Sequence, residues 1–96
     1  MSILISEALI ISLSEQILSR IDPDEPYFLA PMFYPVCTYG SLQFTFTIKP
    51  MYVKRNGCYN DELKPIAVTI TEGNSEVILS ESQYRELLYE MYIQLN

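Results

Sequence analysis

The chain has 96 residues, 49% of them apolar, and a formal net charge of −6 from 12 acidic and 6 basic residues. This length predicts one domain, and the apolar share argues against a disordered chain. The charge disfavours direct contact with nucleic acid or with an anionic membrane, because both need clustered lysine and arginine. The apolar share fits either a dense core or an interface with a partner or a second copy.

The first predicted element is a helix over residues 3–21. Its apolar residues recur at helical spacing on one side. These are Ile3, Ile10, Leu13, Ile17 and Ile21, widened by Leu4, Ile11 and Leu18. Either Ser2 or Ser6 is suited to cap the start, and residues 8–13 also fit a buried strand. Ile5 and Leu9 form an i,i+4 apolar pair away from this stripe.

No targeting or membrane segment is predicted. The N-terminus lacks a basic flank, Glu7 interrupts its apolar run, and a membrane span needs about 20 apolar residues. Cys37 and Cys58 are the only cysteines in the chain. Without a signal peptide, we expect both thiols to be reduced and packed, and the protein to be cytoplasmic.

Residues 23–35 combine four of the six prolines with four aromatic side chains. Asp22-Pro23 ends the helix, and the prolines exclude a regular helix or a central strand in this stretch. Two interpretations remain open. The stretch is a connector whose aromatics cover the end of the core, or it is a recognition rim formed by Tyr27, Phe28, Phe33 and Tyr34.

A sheet follows the proline-rich stretch. Residues 36–39 predict a first strand that breaks at Gly40, and residues 42–49 alternate apolar and polar side chains as a half-buried strand does. We expect Lys49-Pro50 to interrupt the ladder, since proline has no N–H to donate, and residues 51–55 to resume it. Asn56-Gly57 then predicts a tight hairpin turn.

The register of this hairpin predicts a bulge. An unbroken register from the hairpin turn would place Phe44 opposite Thr69. The apolar residues of the returning strand would then lie on the same face of the sheet as the polar residues Gln43, Thr45 and Thr47. One extra residue pairs apolar with apolar: Phe44 with Ile70, Phe46 with Val68 and Ile48 with Ile66. We therefore predict a bulge near Pro50 or within residues 60–65, with residues 51–64 beyond it as a finger or an irregular loop.

The chain is predicted to end in a short strand and a helix. A two-residue loop at Gly73-Asn74 pairs Ile70 with Val77 and Val68 with Leu79, which gives a strand over residues 76–79. Ser80 to Gln83 reads as a capping box. The helix after it has apolar residues at helical spacing, namely Tyr84, Leu87, Leu88, Met91, Tyr92 and Leu95. Tyr89 and Ile93 form an apolar pair on its opposite face.

The composition excludes most catalytic chemistry. There is no histidine, so the commonest general base and the usual zinc ligand are missing. The three glycines form no phosphate-binding loop. Asp22, Asp24 and Glu25 do not match a calcium loop. We expect no enzymatic activity, no cofactor and no metal.

Together the elements predict an α+β domain of order α-β-β-β-β-α. A three- to four-stranded, mainly antiparallel sheet would carry the N- and C-terminal helices on one face, in two layers.

Two further groups of residues are candidates for binding a partner, although both also fit an ordinary solvated surface. The basic finger offers Tyr52, Lys54, Arg55 and Tyr59. The helices offer an acidic face that includes Glu81, Glu86 and Glu90.

We hypothesise a non-catalytic regulator or inhibitor of a larger protein or nucleic-acid-processing complex, of the phage, plasmid or immunity-protein type. The alternative is a homodimeric assembly factor or accessory subunit that uses Tyr89 and Ile93, Ile5 and Leu9, or the proline-aromatic stretch.

Overall fold

The computed structural model describes residues 4–21 and 32–96. Within them, two helices flank four strands. Helix α1 spans Glu7–Leu18, and β1 (Val36–Tyr39), β2 (Leu42–Arg55), β3 (Cys58–Glu72), β4 (Ser75–Val77) and α2 (Glu81–Leu95) follow in that order. The strands form one antiparallel sheet in chain order. The predicted α+β fold and its element order are confirmed.

Helix α1 begins later than predicted, and its buried side is the predicted stripe of Ile10, Leu13 and Ile17, widened by Leu9 rather than by Leu18. Ser6 is the cap, and its hydroxyl accepts a hydrogen bond from the Leu9 N–H at 3.2 Å. Leu9 is 1% exposed and lies in the core, so the prediction that it stands away from the buried face is wrong. Leu18, which the predicted stripe included, is 42% exposed. The sequence misleads here because apolar residues surround most of this helix, and the four-residue spacing of Leu9, Leu13 and Ile17 marks the buried side.

Strand β2 crosses Pro50 without interruption, so the predicted break in the ladder is wrong. Pro50 lies opposite Leu63. Both backbone groups of Leu63 are used on the other side of β3, where the side chain of Asn96 binds its N–H and its C=O at 2.8 Å each. Pro50 and Leu63 therefore form one of the non-hydrogen-bonded pairs that alternate along an antiparallel ladder, and no donor is needed from Pro50.

The predicted bulge exists, but it lies at Ile66, one residue beyond the predicted range of 60–65. Phe44 lies opposite Ile70 and Phe46 opposite Val68, as predicted, but Ile48 lies opposite Pro65 and Ile66 has no opposed residue in β2. The extra residue changes which side chains of β3 face the core. Leu63 is 1% exposed, whereas Ile66 is 41% exposed.

The hairpin beyond the bulge is regular β-structure. Its turn has φ 51° at Asn56 and φ 80° at Gly57, the positive values that a tight two-residue turn of this kind requires. Residues 49–64, named here the distal hairpin, pair from Lys49 and Lys64 to the turn. Of the two predicted forms, finger or irregular loop, the finger is correct.

The last strand and α2 cover the edge of β3 in succession. Val77 pairs with Ile70 as predicted, but β4 ends at Val77, and the predicted pairing of Leu79 with Val68 does not form. Instead, the Tyr84 hydroxyl accepts from the Val68 N–H at 3.2 Å. The Asn96 amide binds Leu63 further along the same edge.

The two helices share one core with the sheet. Leu13 and Ile17 of α1 and Leu87 and Met91 of α2 are fully buried with Phe44 and Phe46 of β2. The Ser14 hydroxyl lies 3.6 Å from the Met91 sulfur in this core. On the other side of α1, the Gln16 side chain accepts from the Thr38 N–H at 2.9 Å and donates to its C=O at 2.8 Å, which fixes α1 on β1.

Candidate protein-binding surface

Alternate residues of the distal hairpin form two faces. On one face Tyr52 and Tyr59 stack, with ring centroids 4.8 Å apart and an interplanar angle of 20°. The Lys54 ammonium lies 5.7 Å from the centroid of the Tyr59 ring. Both tyrosines are more than half exposed. These contacts order an exposed aromatic platform on the hairpin at low conformational cost.

The other face of the distal hairpin is joined to α2 by a charged cluster. The Arg55 guanidinium contacts the Glu62 carboxylate through Nε at 2.5 Å and through a second nitrogen at 3.1 Å. The same guanidinium donates to the Tyr92 hydroxyl at 2.8 Å, and this hydroxyl donates to Glu62. Each polar group therefore has a charged or hydrogen-bonded partner, and the hairpin is held against the helix.

The electrostatics of the cluster favour its charged form. Hydrogen bonds from Arg55 and Tyr92 lower the pKa of Glu62 to about 2. The hydrogen bond to Glu62 raises the pKa of Tyr92, and Glu62 raises the pKa of Arg55 as well. At neutral pH the cluster consequently holds an ionised Arg55–Glu62 pair and a neutral Tyr92.

Two depressions flank this cluster. The first, of about 400 Å³, is named the apolar hollow and is lined by Met51, Val53, Arg55, Lys64, Pro65, Leu88, Tyr89 and Tyr92. The second, of about 620 Å³, is more polar and includes Asn60, Asp61, Ile93 and Asn96 in its lining. Both depressions lie between the distal hairpin and α2 and are open to solvent.

The structure brings together residues that the sequence placed in separate candidates. Tyr89 lines the apolar hollow and Ile93 lines the polar one, on either side of Tyr92, and they are 63% and 50% exposed. They therefore adjoin the distal hairpin, which carries Tyr52 and Tyr59. Arg55, predicted to contact a partner, is instead engaged by Glu62 and Tyr92.

The acidic side chains of α2 are held by fewer contacts than the side chains of the Arg55–Glu62–Tyr92 cluster. Glu81 pairs with Arg85 at 2.5 Å, with both side chains more than three-quarters exposed. Glu86 is exposed and Glu90 is half-buried. Exposed pairs of this kind contribute little to stability.

The proline-aromatic stretch is described only in part. The Phe33 backbone pairs with Ile48 of β2, and its half-buried side chain packs against the core, which fits a connector that covers the core end. Tyr34 is 61% exposed. Tyr27 and Phe28 lie outside the described residues.

Sequence reasoning missed Glu62 and Tyr92 as members of the surface. Glu62 is not among the predicted binding residues, yet it is 7% exposed and contacts Arg55 and Tyr92. The sequence does carry a signal for this pair, since Arg55 and Glu62 have opposite charges and lie on opposite sides of the predicted hairpin turn. Nothing in the local sequence indicates Tyr92, because its contact comes from α2 packing along β3.

In the described residues, no helix is long and apolar enough to cross a membrane. In those same residues, no three acidic or cysteine side chains cluster in the way that a metal ion requires.

Comparison with known proteins found no matching family model, no similar curated protein and no similar solved structure.

Proposed function

We propose that the protein is a non-catalytic protein-binding module, a small regulator or inhibitor of a larger protein or nucleic-acid-processing complex. The observation that carries this proposal is the convergence of Tyr89, Ile93 and the distal hairpin around one fixed cluster. Exposed tyrosine beside an open hollow is typical of protein interfaces, where aromatic residues are among those that supply most of the binding energy. Two free cysteines, Cys37 and Cys58, support placing the protein in the cytoplasm.

The test is capture of partners from the cell that makes the protein. Tagged wild-type protein and a Tyr89→Ala/Ile93→Ala double variant are compared, with bound proteins identified by mass spectrometry. We expect the wild type to retain a specific partner and the double variant to lose it. The Gln94→Ala variant, an exposed substitution on the same helix, is the matched control and should retain it. Equal capture by the double variant and the wild type would refute this surface.

The acidic-face version of the hypothesis is tested in the same experiment. Glu81, Glu86 and Glu90 are replaced together by lysine. If α2 imitates a nucleic acid for a basic partner, this variant loses the partner while the Tyr89→Ala/Ile93→Ala variant keeps it. We favour the reverse outcome, because Glu81 is already paired with Arg85 and Glu90 is half-buried.

The alternative is a homodimeric assembly factor or accessory subunit. Exposure of Tyr89 and Ile93 on one side of α2 favours it, since an i,i+4 apolar pair suits packing against a second helix. The pair Ile5 and Leu9 no longer supports it, because Leu9 is buried in the core. Sedimentation at high protein concentration should then show a dimer that Tyr89→Ala/Ile93→Ala converts to a monomer.

A further inference from the structure

A pair of like charges stands beside the apolar hollow. Lys49 and Lys64 lie directly opposite each other in the β2–β3 ladder, and both are exposed. Like charges at opposed ladder positions destabilise a sheet. In the described part of the chain neither lysine forms an ion pair, and Glu62, two residues from Lys64 on the same strand, is committed to Arg55 and Tyr92.

This local charge opposes that of the whole molecule. The protein has a net charge of −6, yet four of its six basic residues lie in the distal hairpin. Arg55 is neutralised by Glu62, and Lys54 lies over Tyr59 on the other face. Lys49 and Lys64 are therefore left as a concentrated positive charge beside the apolar wall of Met51, Val53 and Leu88.

We propose that the apolar hollow binds an acidic segment of the protein partner. One apolar side chain of that segment contacts Met51, Val53 and Leu88, and its carboxylates contact Lys49 and Lys64. A hollow of about 400 Å³ accommodates one large apolar side chain together with neighbouring backbone. This inference rests on the proposed function, since it names the chemistry of the partner for the same surface.

Complementary charge distinguishes this occupant from others. A nucleic acid would meet the two lysines, but its phosphate backbone would leave the apolar wall unused. A basic segment would place like charges beside Lys49 and Lys64, which strongly disfavours binding. An acidic segment with an apolar anchor satisfies both the lysines and the wall.

The inference is tested with peptides of defined composition. The ¹⁵N-labelled full chain is titrated with the peptide Asp-Glu-Leu-Phe-Asp-Glu, with Lys-Lys-Leu-Phe-Lys-Lys and with Asp-Glu-Ser-Gly-Asp-Glu. We expect the first peptide to shift the amide signals of Met51, Val53, Lys64 and Leu88 and to bind at least about tenfold more tightly than the other two. Binding should weaken as the salt concentration rises from 0.1 M to 1 M, because the screening length falls from about 10 Å to about 3 Å.

A charge-reversed variant provides the decisive comparison. Lys49→Glu/Lys64→Glu should bind the basic peptide more tightly than the acidic one. Arg20→Glu, a charge reversal at an exposed residue just after α1 and outside the lining of the apolar hollow, should leave the wild-type preference unchanged. If the glutamate variant loses its dispersed amide spectrum, Lys49→Gln/Lys64→Gln replaces it and should bind the acidic peptide at least about tenfold more weakly than the wild type does.

Three results would overturn the inference. They are the absence of shifts around the apolar hollow, equal binding of acidic and basic peptides, and an equal effect of Arg20→Glu. The outcome of cellular capture separates this inference from the proposed function. If Tyr89→Ala/Ile93→Ala loses the partner and Lys49→Glu/Lys64→Glu keeps it, the binding function stands and the acidic partner segment is refuted.

Discussion

The side-chain amide of Asn96 binds both backbone groups of Leu63, with each hydrogen bond 2.8 Å long. A side chain thereby takes the place of a neighbouring strand at the edge of β3. The amide also donates to the Tyr92 C=O at 2.7 Å, so the same group holds the last turn of α2. One residue consequently joins the helix end to the sheet.

We expect Asn96→Ala to lower the free energy of unfolding by about 1–3 kcal/mol, because it leaves the part-buried N–H and C=O of Leu63 without partners. The measurement is urea denaturation followed by circular dichroism. Gln94→Ala, an exposed change on the same helix, is the control and should alter stability by less than about 0.5 kcal/mol. Equal effects of the two variants would contradict the assigned role of Asn96.

The bulge at Ile66 predicts unequal costs for two apolar truncations on β3. Leu63→Ala removes a fully buried side chain and should cost about 2–5 kcal/mol, whereas Ile66→Ala changes a side chain that is 41% exposed and should cost about 1 kcal/mol or less. Urea denaturation of both variants measures the difference. The reverse order would place the bulge elsewhere.

Gly57 occupies a turn position with φ 80°, and a Cβ added there meets no atom within 4 Å. Gly57→Ala should therefore cost about 1–2 kcal/mol through backbone strain alone. Asn56→Gly relieves a positive φ at the adjacent position and should not destabilise the hairpin. Thermal denaturation of both variants checks this contrast, and a neutral Gly57→Ala would exclude the assigned turn.

The Arg55–Glu62–Tyr92 cluster predicts a loss of stability at both ends of the pH range. The folded-state pKa of Glu62, about 2, lies below its ordinary value of 4.5, so its contribution is present above about pH 4.5 and is lost as the pH falls toward 2. The pKa of Tyr92 is raised above 10, so its contribution is present below pH 10 and is lost as the pH rises through the folded-state value.

Urea midpoints measured across this range, for the wild type and two variants, test the assignment. Glu62→Gln should flatten the acid limb relative to the wild type, and Tyr92→Phe should flatten the alkaline limb. Identical pH profiles for all three proteins would show that the cluster does not contribute to the pH dependence.

The two cysteines should differ sharply in reactivity. Cys37 is packed as predicted, and its burial raises its pKa, whereas Cys58 is exposed on the distal hairpin and the prediction that it is packed is wrong. A thiol reagent at neutral pH should modify Cys58 within minutes and reach Cys37 only when the chain unfolds. In Cys58→Ser, native protein should show no fast-reacting thiol and urea-unfolded protein should show one. Rapid modification of native Cys58→Ser would contradict the burial of Cys37.

Local rules predicted most of the fold. The alternation of residues 42–49, the Asn56-Gly57 turn and the cap at Ser80 each depend on neighbouring residues only. Counting from the turn also required one extra residue in β3. It did not locate that residue, because a bulge anywhere between the turn and Val68 restores the apolar pairs.

Contacts between distant residues account for the errors. Leu63 and Ile66 are both apolar, and the position of the bulge in the pairing of β2 with β3 decides which of them faces the core. The candidate surface was predicted as two separate features, the hairpin and the pair Tyr89/Ile93. Their convergence depends on α2 running along β3, and no residue pattern within either feature encodes that path.

The way in which the chain covers the edge of β3 also restricts how any partner can attach. From Ile70 to Glu72 the edge of β3 is paired with β4. The Tyr84 hydroxyl binds Val68, the Asn96 amide binds Leu63, and Pro65 between these two residues has no N–H. An incoming strand therefore finds no run of free donors and acceptors along this part of β3. A partner that binds there must contact side chains rather than backbone groups. The specificity of binding can therefore change by surface substitution while the backbone stays the same.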